Sequence, residues 1–469
     1  MRLFCSSRRL NWVAIGALLT TIPAVVVEPA PARARPPVSP LSLADLERFA
    51  LSHNPTLAQA TAQLDAAQGR AVQAGLYPNP TVGYFSQQIG EEGTAGQQGA
   101  FLTQMIVTSG KLRLNRAKSA REVDVVDCQA KAQGLRVLNT VRIQFWQVVA
   151  LRYMARAQEE LIRRADDAVT AVEGRQEAGD AERADVLEAR LEKTQLEDLL
   201  EETANRHQAA WGRLAALVGL PDLPPAPLSA DLEAAGPPLE FHAALAQLLT
   251  ASPELGVARS VAASDQVSLQ RELVEPVPNL QLELATAYNA ADQRQQAYAQ
   301  LGFMLPIFDR NQGNIRAARA QLVRSASGVR RVELNLRDRL ATAFEQYLSA
   351  RDDVEQYREE RLPGARELFD LRLEGLKAGK GEWSQVQQAL RTYAQARQEY
   401  LQSLLNLRRA EVGICGLLLV DGLDDPPPPP SQGQPHRDQE QKLFQESLQQ
   451  PLLGPGGRRI EDRLGNQQP

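Results

Sequence analysis

Metal or redox chemistry needs cysteines and histidines brought together, and this chain has few of either. Its three cysteines (Cys5, Cys128, Cys415) and four histidines (His53, His207, His242, His436) lie far apart, with no CxxC or HxxxH spacing. A structural zinc site takes four clustered ligands, so no metal cage is expected, and Cys128 and Cys415 read as small apolar residues on helices. Gly110-Lys111-Leu112 looks like the end of a phosphate loop, but that loop needs a glycine where Met105 stands and a hydroxyl where Leu112 stands. No nucleophile, base and acid form a locally supported set, so neither an enzyme nor a cofactor is expected. The chemistry-bearing group that remains is acidic. Asp180, Glu182, Asp185 and Glu188 follow Ala178-Gly179, while Glu382 follows Ala378-Gly379 with Gln385 and Gln388 beyond it. The helix dipole favours carboxylates at helix N-termini, which is one account of them.

The elements that carry these residues are long. The chain has 469 residues, a length that ordinarily suggests two or three globular units. Aromatics are only 5% against many Ala, Leu, Gln, Glu and Arg, a mixture that favours long helices with small-residue seams over a bulky core. The net charge of -5 supplies no overall positive field, so nucleic acid is not an expected partner.

The body is written twice, at an offset of 200 residues. Tyr77-Pro78-Asn79-Pro80 recurs as Val277-Pro278-Asn279-Leu280, Arg116-Ala117 as Arg316-Ala317, and Glu177-Ala178-Gly179-Asp180 as Lys377-Ala378-Gly379-Lys380. Upstream, Asn54-Pro55 matches Ser252-Pro253. Two copies at so long a period point to a pseudo-symmetric duplication. Each copy reads as a short helix (Leu43 to His53; Leu239 to Ala251), a second helix (Thr56 to Tyr77; Glu254 to Val274) stopped by the Pro-Asn step, and a hairpin. In the second hairpin Leu280, Leu282, Leu284, Thr286 and Tyr288 share one face and Gln281 and Glu283 the other, a period-2 pattern that the first hairpin (Thr81 to Ile89; Gly99 to Val107) follows less cleanly.

A very long helix follows each hairpin, from about Lys111 to Glu177 and from about Asn311 to Lys377, interrupted by no proline except Pro363. At 1.5 Å per residue each reaches about 100 Å. After the Ala-Gly turns the chain returns as shorter helices. In the last of these, Val386, Leu390, Tyr393, Arg397, Tyr400, Leu404 and Leu407 make one seam and Ala389, Ala396, Ser403 and Ala410 another. Two adjacent seams let a helix pack on both sides, as a curved wall requires.

Around these copies lie three further segments. Residues 1–34 have a basic start, an apolar run and an Ala32-Arg33-Ala34 exit, as in a cleaved secretory signal; a retained transmembrane anchor is the alternative. The copies, 35–220 and 239–420, are separated by a proline-rich linker, 221–238, and residues 421–469 form a Pro- and Gln-rich tail whose composition cannot bury a core. Four strands with an apolar face in an exported chain cannot close a barrel, and open edges in lipid leave backbone groups unsatisfied. Bacterial barrels have about eight strands or more in even number, so several chains must share one, and three would supply 3 × 4 = 12.

The motif order resembles the TolC-like outer-membrane efflux proteins. The resemblance covers about Leu41 to Val420 and rests on the Tyr77-Pro78-Asn79-Pro80 step, the paired Ala-Gly turns, Ser109-Gly110-Lys111-Leu112-Arg113, and Leu305-Pro306-Ile307-Phe308-Asp309-Arg310-Asn311-Gln312-Gly313-Asn314-Ile315. The last two look most like the cobalt-zinc-cadmium resistance branch. The resemblance implies a mainly α fold with a membrane β-barrel: a homotrimer with a twelve-stranded barrel in outer-membrane lipid of a Gram-negative cell, above an α-helical barrel in the periplasm. It implies a periplasmic adaptor (membrane fusion protein) and an inner-membrane pump of the resistance-nodulation-division type as partners. Heavy-metal cations are the implied cargo, with drugs or other small molecules as the alternative. A periplasmic adaptor or a coiled-coil scaffold fits less well, since neither accounts for the duplicated hairpins. The resemblance also makes Asp180, Glu182, Asp185, Glu188 and Glu382 candidate electrostatic rings at the tunnel mouth, with Gln385 and Gln388 departing from the pattern in the second copy. Gly179, Gly379 and an exposed Trp383 become candidates for adaptor docking, with packing against the neighbouring turn as the other reading of Trp383.

Overall fold

The computed structural model describes residues 40–424 apart from 235; the expected leader (1–34) and the expected tail past residue 424 lie outside the described residues. The first half runs α1 (Leu43–His53), α2 (Pro55–Ala74), β1 (Thr81–Gln87), β2 (Gln97–Ile106), α3 (Lys111–Glu177) and α4 (Arg183–Val218). The second half repeats this order as α5 (Phe241–Ala251), α6 (Pro253–Val274), β3 (Leu280–Asn289), β4 (Arg294–Phe303), α7 (Gln312–Gln356), α8 (Leu362–Lys377) and α9 (Trp383–Cys415). Local chemistry sets the boundaries. Ser42 and Asp45 form a capping box at α1, and Asn54 accepts from the Thr56 N–H with Pro55 in the first turn of α2.

The two long helices differ. α3 is continuous over 67 residues. Its counterpart is broken into α7 and α8 by a π-helical turn at Tyr357–Arg361, directly before Leu362-Pro363. Proline has no N–H to donate and its ring crowds the carbonyl four residues back, and one wider turn absorbs both defects without ending the helix. Both predicted seams of α9 are packed: Val386, Leu390, Tyr393, Tyr400 and Leu404 are buried on one side, Ala389, Ala396 and Ser403 on the other. They join a core shared by α1, α3, α4 and α8, while a smaller core lies under α5 and α7.

Two segments that read as connectors are packed against the helices. In the proline-rich linker Leu228 and Leu232 are buried, Leu41 pairs with Leu228 as an isolated bridge, and the Trp211 indole N–H donates to the Leu223 carbonyl at 2.9 Å. After α9, Leu417, Leu418 and Asp421 adopt positive φ, forming a strap. The Asn139 side chain, fully buried, donates to the carbonyls of Gly416 (2.8 Å) and Leu419 (2.6 Å). Arg339, 200 residues later, donates to the carbonyl of Leu418 at 3.3 Å. The same position in both long helices therefore holds the strap.

Candidate functional site

The strands form one antiparallel sheet in the order β1-β2-β3-β4, so the two hairpins meet where β2 pairs with β3, Leu102 opposite Leu284. Register and period 2 together fix two faces. Val82 and Tyr84, Ala100, Leu102 and Ile106, Leu280, Leu282, Leu284 and Tyr288, and Leu301 and Phe303 share one. Gln97 and Thr103, Gln281 and Glu283, and Gln296, Tyr298 and Gln300 share the other. Burial runs opposite to that of a soluble sheet. The apolar face is exposed, with Leu301 62% and Val82 74% accessible, while on β1 to β3 the polar face has no exposed residue and Thr103 and Ala287 are buried; only on the edge strand β4 are polar-face residues, Arg294, Tyr298 and Gln300, exposed as well. Contiguous exposed apolar surface of this kind belongs against lipid or another protein.

The polar face contains a device that period-2 alternation alone does not reveal. Phe101 lies over Gly83 and Phe85 over Gly99, each pair directly opposite in the β1–β2 register. A Cβ on Gly83 would come within 2.3 Å of the Phe101 ring, and one on Gly99 within 2.8 Å of Phe85. The glycines make room for rings that cover the backbone, which explains the weaker alternation of the first hairpin.

At the far end of the long helices the two Ala-Gly turns close identically. Asp180 N–H donates to the Arg175 carbonyl (2.8 Å) and Gly179 N–H to that of Gln176 (3.0 Å); Lys380 and Gly379 donate to Gly375 (2.9 Å) and Leu376 (3.1 Å). These are Schellman closures, and Gly179 and Gly379 adopt the positive φ (81° and 72°) that they demand. Asp180, Glu182, Glu188 and Glu382 are exposed around the turns. Asp185 is half-buried, and its carboxylate accepts from the Glu182 backbone N–H at 3.2 Å, so it caps α4. Gln385, its counterpart, instead accepts from Arg372 at 2.7 Å.

Trp383 departs from the expected exposure: it is 4% accessible and sits in the core with Leu376 and Val386. A large indole at a helix start gains more from burial between two helices than from water. Arg175 was not anticipated. Its guanidinium donates to the carbonyls of Gly381 (2.5 Å) and Asp180 (3.1 Å), tying the two turns together. The available signal was asymmetry, since the matching position in the second copy is Gly375.

Higher up, Arg164 of α3 reaches Asp370 of α8 at 2.6 Å and lies against the rings of Phe369 and Tyr393. Burial works against its charge, and Asp370 more than restores it. Arg391 of α9 bonds Glu192 of α4 at 2.6 Å. No group of His, Cys, Asp and Glu among the described residues could hold a metal, and no described helix is long and apolar enough to cross a membrane.

The family model described as "Outer membrane efflux protein" matches residues 48–220 and 244–418, one match on each half. The cobalt-zinc-cadmium resistance protein CzcC of Cupriavidus metallidurans is 28% identical over 375 residues, covering 78% of this chain and 87% of that protein. Two solved structures share the fold. The outer membrane protein VceC of Vibrio cholerae aligns at 15% identity with a TM-score of 0.67, over 81% of this chain and 97% of that one. CusC aligns at 15% identity with a TM-score of 0.69, over 81% and 92%. With exposed apolar strands above a wall of long helices and both halves matched, this chain belongs to the outer membrane efflux protein family, as an outer-membrane channel that extends into the periplasm.

Proposed function

We propose that three copies join edge to edge, β4 of one pairing with β1 of the next, to close a twelve-stranded barrel that continues into a helical tunnel, and that this duct exports heavy-metal cations. The observation that carries the reading is the sheet: its apolar face is exposed, no residue on the polar face of β1 to β3 is exposed, and β1 and β4 have open edges. An open edge in lipid leaves each unpaired backbone group several kcal/mol short, so other copies must pair it. The cargo follows from the likeness to CzcC, whose name records cobalt, zinc and cadmium resistance. His, Cys and Met are scarce here, so metal selection falls to an inner-membrane pump of the resistance-nodulation-division type, linked through a periplasmic adaptor.

At the periplasmic mouth the trimer repeats Asp180, Glu182, Asp185, Glu188 and Glu382 as carboxylate rings, and the turns at Gly179 and Gly379 meet the adaptor. A heat-modifiable trimer in the outer-membrane fraction and loss of cobalt, zinc or cadmium tolerance on gene deletion are the expected results. A soluble monomer would overturn the barrel, and unchanged metal tolerance would overturn the cargo. For the mouth, Asp185→Ala should raise single-channel conductance in a planar bilayer; unchanged conductance would remove Asp185 from the gate.

A further inference from the structure

The four described strands contain two charged side chains, Glu283 and Arg294, and both lie on the polar face. Glu283 is in the fourth position of β3, close to α6 and the tunnel, whereas Arg294 begins β4 at the hairpin end, opposite Asn289. The register neighbours of Glu283 are neutral: Gln300 on β4 and Thr103 on β2, whose hydroxyl donates to the Glu283 carboxylate at 3.4 Å. Near the strand bases, the cations Lys111 and Arg271 are buried and ion-paired with Glu275. Arg294 is about 20 Å along the strand from Glu283 at ~3.4 Å per residue, more than two Debye lengths at physiological salt.

We propose that Glu283 is a specificity-determining residue of the duct, forming a ring of three lumenal carboxylates at the base of the barrel that favours cations over anions. This rests on the trimeric reading above. Twelve strands spaced ~4.8 Å apart and tilted by about 40° give a barrel radius of roughly 12 Å, so inward-pointing carboxylates lie about 8 Å from the axis. That is about one Debye length at 0.15 M salt, so the field crosses the pore. Coulomb's law in water with that screening gives a roughly two- to threefold enrichment of a monovalent cation on the axis, and about its square, roughly sevenfold, for a divalent one. The side chain does so without coordinating the ion, consistent with a conduit that must release its cargo.

The test uses the full-length protein in planar bilayers, reading cation-to-anion permeability from the reversal potential in potassium chloride and magnesium chloride gradients. Glu283→Gln should lower the potassium-to-chloride ratio about two- to threefold and the magnesium ratio more, while Glu283→Asp should keep both. Glu283→Ser removes the same charge with a smaller side chain and should lower both ratios likewise, so it decides the matter if Glu283→Gln does not assemble. Wild-type ratios in a conducting Glu283→Gln or, failing that, Glu283→Ser channel overturn the ring and leave the duct standing. A wild-type protein that yields no conducting channel overturns the duct reading itself, a distinct result.

Discussion

The two halves share their backbone signals and differ in the side chains that reach across. Both end their long helices in the same Schellman closure, and both use one matched position, Asn139 and Arg339, to hold the strap after α9. The first half also supplies two arginines to its partner: Arg164 to Asp370 and Arg175 to the Gly381 carbonyl. The positions matching these arginines are Gly364 and Gly375. Duplication copies what is local, namely caps, turns and periodicity. The contact between copies is not symmetric within a chain, because the faces that meet are not the same face, so its side chains had to diverge.

Four measurements would break or sharpen this contrast. The largest effect is expected at the strap. Asn139→Ala leaves two buried carbonyls without their donor and should cost about 3 kcal/mol, against about 1 kcal/mol for Arg339→Ala, whose pair with Glu254 is half-exposed. Equal shifts in the thermal unfolding midpoint would show that the two positions are used alike.

Next come the arginines and their glycine counterparts. Arg164→Ala should destabilise by about 1–2 kcal/mol, since its side chain is 18% accessible and charge-paired. Gly364→Ala, where an added Cβ meets nothing within 4 Å, should stabilise by about 0.5–1 kcal/mol. Opposite signs in denaturant midpoints sharpen the asymmetry, and the same sign for both would abolish it.

Third, Asp185→Ala removes the cap of α4 at a cost of about 0.5–1 kcal/mol, whereas Gln385→Ala, which loses only a bond on the surface, should change stability by less than about 0.5 kcal/mol. Amide exchange at the two turns would read the difference directly, and equal protection in both variants would argue against capping.

The smallest expected effect is acid sensitivity of the first half. His207 lines a cavity of about 270 Å³ with Arg152 and the linker residues Pro225 to Leu228, and its counterpart is Leu407. Burial, with the Arg152 charge second, holds the His207 imidazole below its ordinary value. The unfolded chain therefore takes up a proton below about pH 6.5 that the folded one resists, so stability is retained above that range and declines as pH falls through it. His207→Gln should flatten this decline; an unchanged acid limb would place the sensitivity elsewhere.

Much of the fold was legible because its signals are local. The strands follow from alternation at Leu280 to Tyr288, the seams of α9 from spacings of three and four, and the turns from Ala178-Gly179 and Ala378-Gly379. The site was only partly legible. Asp185 was found as a carboxylate, but its bond to the Glu182 N–H depends on how the chain enters α4. The exposure expected of Trp383 came from its place beside a turn, and nothing local signalled that α9 would turn it into the core.

The sequence by itself determined the duplication, the element order and the two-faced strands, because period 2, period 3.6 and caps act over a few residues. Only the tertiary structure decided that β2 pairs with β3, that Arg175 ties the turns together, and that the proline-rich linker and the strap after α9 are packed. Those contacts join residues that lie far apart along the chain. Which of them form depends on how two near-copies pack face against face, which no repeating pattern within either copy encodes.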